Sequence, residues 1–323
     1  MILNKFIWDR RSRIFSIDSL KGLNLTHSQV PYYVKHNGKE YIYFTSRPPR
    51  LPDGNYVSYV LRVEVEYIGE GAFHINSLPQ EPLLKLGDYG SFDETGTMPC
   101  SVIDRNDLNE VWLYYVGWSN KRSVPFDCAI GLAISKDNGQ TFNKYSEGPI
   151  LGQNKNDKFL IGCPRVYFFN SKWYLFYISG VSWESDANGK REAHYRLKCA
   201  ISNNGIDWET NNMFIIEEKF DIESQTCPSV FFKDGLYHMF FTYRYTTDFR
   251  NPDRGYRIGY AFSNDLINWQ RRDDLANFDV SDFGTIDNEM VCYPNINLIS
   301  EEWIMLYCGN EFGKYGFNSV ILR

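Results

Sequence analysis

The stretch Pro164-Arg-Val-Tyr-Phe-Phe-Asn-Ser-Lys-Trp-Tyr-Leu-Phe-Tyr-Ile-Ser-Gly180 places two aromatic-rich runs on either side of a polar Asn-Ser-Lys break. Short runs of aromatic and β-branched residues around a turn signal read as a β-hairpin. The same pattern follows Pro228, where Val230-Phe-Phe, Lys233-Asp-Gly and Leu236-Tyr-His-Met-Phe-Phe succeed one another. Working outward, Pro31, Pro99, Pro164, Pro228 and Pro294 open equivalent hairpins at intervals of 68, 65, 64 and 66 residues. In four units the second strand ends sixteen residues past the proline, at Arg47, Gly180, Arg244 and Asn310; after Pro99 a longer turn at 104–109 moves the end to Trp118.

A third strand follows in Ile130-Gly-Leu-Ala-Ile-Ser135, Leu197-Lys-Cys-Ala-Ile-Ser202 and Ile258-Gly-Tyr-Ala-Phe-Ser263, and each runs into a polar turn ending on Phe142, Trp208 or Trp269. Ser, Asn and Asp close such turns on nearby backbone amides, and the ring is expected to cap the apolar layer between neighbouring sheets. Five units filling 323 residues predict an all-β fold. The expectation is a five-bladed β-propeller of about four antiparallel strands per blade, forming one domain over 1–323. The last unit has only about two strands beyond its first, so segment 4–9 is expected to supply its outer strand and close the ring.

Composition agrees: 23 Phe, 23 Tyr and 8 Trp stand beside 24 Gly and 13 Pro, a mixture that favours strands and turns. The 34 basic and 40 acidic side chains leave a charge of −6, which excludes nucleic-acid binding through a general basic surface. No cationic segment followed by a long apolar run opens the chain, and no stretch approaches the roughly 18–20 apolar residues of a membrane helix. Seven cysteines without a Cys-x-x-Cys pair fit a reducing compartment. A soluble cytoplasmic protein with no nucleic-acid partner and no membrane insertion is expected.

Ser263-Asn-Asp-Leu-Ile-Asn-Trp269 resembles the Ser-x-Asp-Leu-x-x-Trp blade turn of the five-bladed propeller glycoside hydrolases, the superfamily of arabinanases, β-xylosidases and invertases, together with the related mannoside phosphorylases. Phe92-Asp-Glu-Thr-Gly-Thr-Met-Pro99, Ala129-Ile-Gly-Leu-Ala-Ile-Ser135 and Tyr145-Ser-Glu-Gly-Pro149 are similar to an uncharacterised glycosidase-like branch. The resemblance covers nearly the whole chain. It implies carboxylate acid/base chemistry at a glycosidic bond of a small saccharide or glycoconjugate, without a cofactor. One departure stands out: the arabinanase group places an Asp just before the first blade's proline, whereas His27-Ser-Gln-Val-Pro31 has no carboxylate there.

Five residues before each proline stand Thr26, Glu94, Phe159, Glu223 and Glu289, with Asp93 and Asp287 beside two of them. In a propeller the first strand lines the channel and its partner returns to the same rim, so these acids should share one face with Arg47, Trp118, Arg244 and Asn310. Crowded acids repel and raise at least one pKa, as a general acid requires near neutral pH. Glu289 and Glu223 are the candidate acid and base in either order, and Asp93, Glu94 and Asp287 the candidate pKa tuners or hydroxyl ligands. The alternative is strand-start hydrogen bonding and ion pairing with the arginines.

Trp118 and Trp183 are candidate sugar-stacking rings or blade packing. Arg47, Arg244 and Arg257 are candidate forked ligands for a carboxylate or phosphate, or partners of the rim glutamates. His27, Gln29 and Asn310 are candidates for substrate hydroxyls. Cys100, Cys163, Cys227 and Cys292 each lie within two residues of a blade proline, but the spacing matches no zinc pattern and small residues suit a crowded channel, so no metal is expected. Hydrolysis leads the functional readings. The alternatives are phosphorolysis or transfer from a phosphorylated or nucleotide-linked sugar, and a glycan- or protein-binding propeller without catalysis. Specificity is expected in loops 53–55, 182–192 and 246–254.

Overall fold

A computed structural model describes residues 4–52, 56–282 and 285–323. Strand β1 (Trp8–Phe15) comes first in the chain but belongs to the last blade. Blade one holds β2 (Gln29–His36), β3 (Lys39–Ser46), β4 (Tyr59–Gly69) and β5 (Ala72–Ser77); blade two holds β6 (Gly96–Arg105), β7 (Glu110–Asn120), β8 (Phe126–Ser135) and β9 (Asn143–Lys144). Blade three has β10 (Ile161–Phe169), β11 (Lys172–Ser185) and β12 (Arg191–Ser202), with the single bridge Ile201–Glu209 in place of the expected fourth strand. Blade four runs β13 (Glu223–Lys233), β14 (Leu236–Tyr245), β15 (Arg257–Ser263) and β16 (Gln270–Arg271). Blade five joins β17 (Cys292–Ile299), β18 (Glu302–Cys308) and β19 (Phe317–Leu322) to β1. The fold is a five-bladed propeller.

The ring closes as expected, but with a later segment than 4–9: pairing runs from Trp8↔Leu322 to Phe15↔Phe317. Residue Phe6 turns to blade four instead. Its N–H donates to the Leu275 carbonyl at 3.0 Å, and its ring packs on Phe240 and Tyr260 at 5.0 and 4.9 Å.

Each blade is buried on both faces, which explains the aromatic content. In β7, Trp112 and Tyr114 face the layer shared with Leu175 and Tyr177 of blade three, while Leu113 and Tyr115 face the layer shared with Tyr41 and Tyr43 of blade one. This is strand alternation with apolar residues on both sides. The turn rings cap these layers: Phe142 meets Tyr43 at 6.3 Å, Trp208 meets Tyr114 at 6.5 Å and Trp269 meets Phe176 at 5.8 Å. In the turns themselves the Ser202 and Ser263 hydroxyls accept backbone N–H groups of Gly205 and Leu266 at 2.9 and 3.0 Å.

At each blade proline the inner strand slips register. Val30, Cys163, Cys227 and Tyr293, the residues just before four of these prolines, have φ of 55°, 51°, 46° and 60°. Proline has no N–H to leave unpaired, so a bulge is where a strand accommodates it. The inner strands bring Cys100, Cys163 and Cys227 into one core cluster. Fully buried Arg165 sits over the Tyr32 ring at 5.1 Å and donates to the Cys100 carbonyl at 2.5 Å. All seven cysteines are free and buried.

The loop entering an inner strand crosses the end of the second strand, where glycine leaves room. A Cβ on Gly117 would lie 2.5 Å from the Phe92 ring. Buried aspartates fasten these loops: Asp93 accepts the Tyr115 hydroxyl at 2.9 Å and pairs with Lys144 at 2.7 Å. Asp157 accepts Tyr177 at 3.2 Å and pairs with Lys198 at 3.0 Å, and Asp287 accepts Tyr307 at 2.8 Å. Lys198 and Asp157 are both buried, so removing one partner strands a charge. Lys198→Met is expected to lower stability by about 3–5 kcal/mol and Tyr177→Phe by about 1 kcal/mol in urea unfolding, with Asp157→Asn recovering part of the Lys198→Met loss.

Candidate active site

Starts of inner strands and ends of second strands meet at one rim, as the pairs Gly96↔Trp118, Ser224↔Arg244 and Cys292↔Cys308 show. On blades two and three this rim is aromatic. Phe126 contacts Trp118 at 4.9 Å and Trp183 at 5.3 Å, both edge-on. All three rings are half-buried.

The glutamates differ in their surroundings. Glu289 is exposed, and its carboxylate has no partner among the described residues. Its backbone N–H donates to Asn310 Oδ1 at 2.9 Å, as does that of Met290 at 3.2 Å, while the Asn310 amide bonds the Thr285 carbonyl and Asn288 Oδ1 at 3.3 and 2.7 Å. Asn310 therefore positions the loop that carries Glu289. Glu94 is half-buried and accepts the Gly90 N–H on one oxygen at 2.7 Å.

The structure reassigns the other acids. Glu223 is 0% exposed, and its carboxylate is taken by Arg271 at 2.7 Å, Gln225 at 2.9 Å and the Lys219 N–H at 3.0 Å. The partner Arg271 lies 48 residues away, beyond any local sequence signal. Asp93 and Asp287 are the loop clasps described above, held by tyrosine hydroxyls rather than turned to the rim.

Of the three arginines expected to grip an anion, two are spent. Arg244 is buried and donates to the Tyr256 hydroxyl at 3.1 Å and to the Tyr245 and Thr246 carbonyls at 2.7 Å. Arg257 pairs with Asp279 at 3.1 Å and donates to the carbonyls of Glu289 and Pro252 at 3.0 and 2.8 Å. Arg47 remains. Its Nη2 donates to His27 Nε2 at 2.9 Å, its guanidinium lies 4.2 Å from the Tyr56 ring centroid, and its buried Nε has no partner among the described residues. Half-buried Gln29 has no side-chain partner among the described residues. Sequence reasoning missed Arg50, 4.7 Å from the same Tyr56 ring, and Arg250, paired with Glu192 at 3.2 Å. The last pair joins loops 182–192 and 246–254; loop 53–55 lies outside the described residues.

His27 closes a small circuit. With Nε2 accepting from Arg47, Nδ1–H donates to Thr26 Oγ1 at 2.8 Å, and Thr26 Oγ1 donates to the Arg47 carbonyl at 3.0 Å. Burial first, then Arg47 and Lys314, pulls the His27 pKa down to about 3. Burial and then Arg62 pull His36 down to about 4. The unfolded chain, with histidine near 6.5, then binds more protons than the native one over that interval, so stability rises with pH there. Melting temperature is expected to fall as pH drops below about 6.5, and His27→Gln should flatten that fall in thermal scans between pH 4 and 8.

No known family model matches the chain. Two curated relatives from Mycobacterium tuberculosis, Uncharacterized protein MT1551 (strain CDC 1551 / Oshkosh) and Uncharacterized protein Rv1502 (strain ATCC 25618 / H37Rv), are 29% and 28% identical over 318 residues, covering 98% of this chain and 99% of each relative. Among solved structures, one described as Glycoside hydrolase has a TM-score of 0.70 at 14% identity over 98% of this chain and 90% of its own. A glycosyl hydrolase from Bacteroides ovatus gives 0.68 at 14% over 98% and 93%, and a thermostable family-43 glycoside hydrolase gives 0.62 at 16% over 92% and 89%. The chain has the five-bladed propeller fold of these glycoside hydrolases.

Proposed function

We propose that the chain is a glycosidase-like enzyme, one unit over 1–323, that cleaves a glycosidic bond of a small saccharide or glycoconjugate at this rim. The carrying observation is Glu289: an exposed carboxylate, unpartnered among the described residues, on a loop that Asn310 and Arg257 hold in place. In its protonated form such a group gives its proton to the leaving glycosidic oxygen, and a second, ionised carboxylate acts on water or on the anomeric carbon. Glu94 suits the second role because Gly90 occupies one oxygen and leaves the other available. Trp118 and Trp183 offer flat faces for the sugar, and Gln29 offers groups for its hydroxyls, whereas both ring nitrogens of His27 are taken by Arg47 and Thr26. The likeness to glycoside hydrolases supports this reading.

The absence of a carboxylate just before Pro31, where Val30 stands, favours a second reading, a propeller that binds a glycan without turnover. Carboxamide substitution separates the two. Glu289→Gln and Glu94→Gln are each expected to lower kcat by at least about 100-fold with unchanged melting temperature, followed by proton NMR on a panel of glycosides. Glu223→Gln is instead expected to lower stability. Saturable glycan binding without turnover, unchanged in Glu289→Gln, supports the second reading.

A further inference from the structure

On a chain of net charge −6, Arg47, Arg50, Arg250 and Lys314 gather beside the candidate site. Arg47 and Arg50 share one aromatic ring, at 4.2 and 4.7 Å from the Tyr56 centroid. Neither has a carboxylate partner among the described residues. Arg47 is half-buried, with a buried Nε that bonds to no described residue, and its hydrogen bond from Nη2 goes to a neutral histidine. Its electrostatic neighbours include Tyr56, Tyr293, Arg50 and Arg250, and the last two repel it. Lys314 lies within the field of His27. Among the described residues, Glu311 pairs with Lys314, and Glu192 is shared by Arg250 and Lys190.

A half-buried guanidinium such as that of Arg47, whose buried Nε has no described acceptor, is costly to leave incomplete. Such a site is completed by an oxyanion, which accepts forked charge-assisted hydrogen bonds from arginine. The Tyr56 ring contacts both guanidinium groups, and cation–π attraction offsets part of the repulsion between the two like charges. The neutral His27 adds no charge of its own but orients Arg47 through its acceptor nitrogen. The buried ion pair of Glu223 with Arg271 and the internal bonds of Arg244 exclude those arginines from the role, so the available N–H groups belong to Arg47 and Arg50.

We infer that Arg47 and Arg50, backed by Arg250, form an oxyanion subsite on the rim, so that the substrate is a saccharide bearing a phosphate or carboxylate group, or is cleaved with free phosphate. The subsite rests on the saccharide reading above, since it supplies the charged end of that ligand. Binding is read directly by isothermal titration calorimetry, independently of turnover, with inorganic phosphate, glucose 6-phosphate, glucuronic acid and neutral methyl glucoside as probes. At least one anionic probe is expected to bind, more weakly as salt is raised, while methyl glucoside binds less tightly. Arg47→Met and Arg50→Met are each expected to weaken anion binding by about 10- to 100-fold, and Arg272→Met, which breaks a remote exposed pair with Asp274, to leave it unchanged.

Arg50 is exposed, so its variant tests the subsite even where loss of Arg47 disturbs folding. Glucose 6-phosphate or glucuronic acid binding more tightly than inorganic phosphate places the anion on the saccharide. Inorganic phosphate that binds as tightly and accelerates turnover makes it the co-substrate. Anion binding lost in both variants, with no glycoside turned over, upholds the subsite and overturns the catalytic reading. Turnover of neutral glycosides unaffected by Arg50→Met, or no anionic probe bound at millimolar concentration, overturns the subsite alone.

Discussion

Everything at the rim depends on one constraint: each blade must bury both faces of its sheet. A sheet covered on both sides cannot alternate polar with apolar residues, so its strands are continuous apolar and aromatic runs. Tyr114 and Tyr115 are adjacent yet serve different inter-blade layers. With the faces consumed by packing, polar chemistry is confined to strand ends and loops. The rim is where the sequence has freedom to place Glu289, Glu94, Arg47 and Trp118.

Packing also fixes how rigid that rim is. Prolines in the inner strands force bulges at the channel, and the aspartate clasps tie the incoming loops to the second strands. Charged and polar groups near the rim thus divide into those that build it and those left over. Glu223, Asp93, Asp287, Arg244 and Asn310 build it. Their hydrogen-bonding capacity is directed inward, and a group satisfied in that way has little left to offer a ligand.

The fold is legible because its determinants repeat. Proline spacing, hairpin turns and turn rings recur blade after blade, and each repeat is a separate vote for the same sheet. The N-terminal strand is harder to place, because Phe6 and Trp8 both look like strand residues while Phe6 packs on blade four. The site is harder still. A glutamate five residues before a proline looks the same whether it is exposed, as Glu289 is, or enclosed by a distant arginine, as Glu223 is. The clasps do carry a signal: tyrosine stands three residues before the second-strand ends Trp118, Gly180 and Asn310, while Phe44 and Phe241 stand there in the blades without an aspartate clasp. Arg50, Arg250 and Lys314 lie in loops without periodicity, so only the folded chain brings them near Arg47.

The most direct test of the central claim is a crystal structure of the Glu289→Gln protein soaked with the tightest-binding saccharide. The proposal predicts a sugar ring against Trp118 or Trp183, the glycosidic oxygen within about 2.6–3.2 Å of the side chain at position 289, and any anionic group against Arg47 and Arg50. A saccharide bound on the outer strands, or with its glycosidic oxygen turned away from position 289, would contradict it.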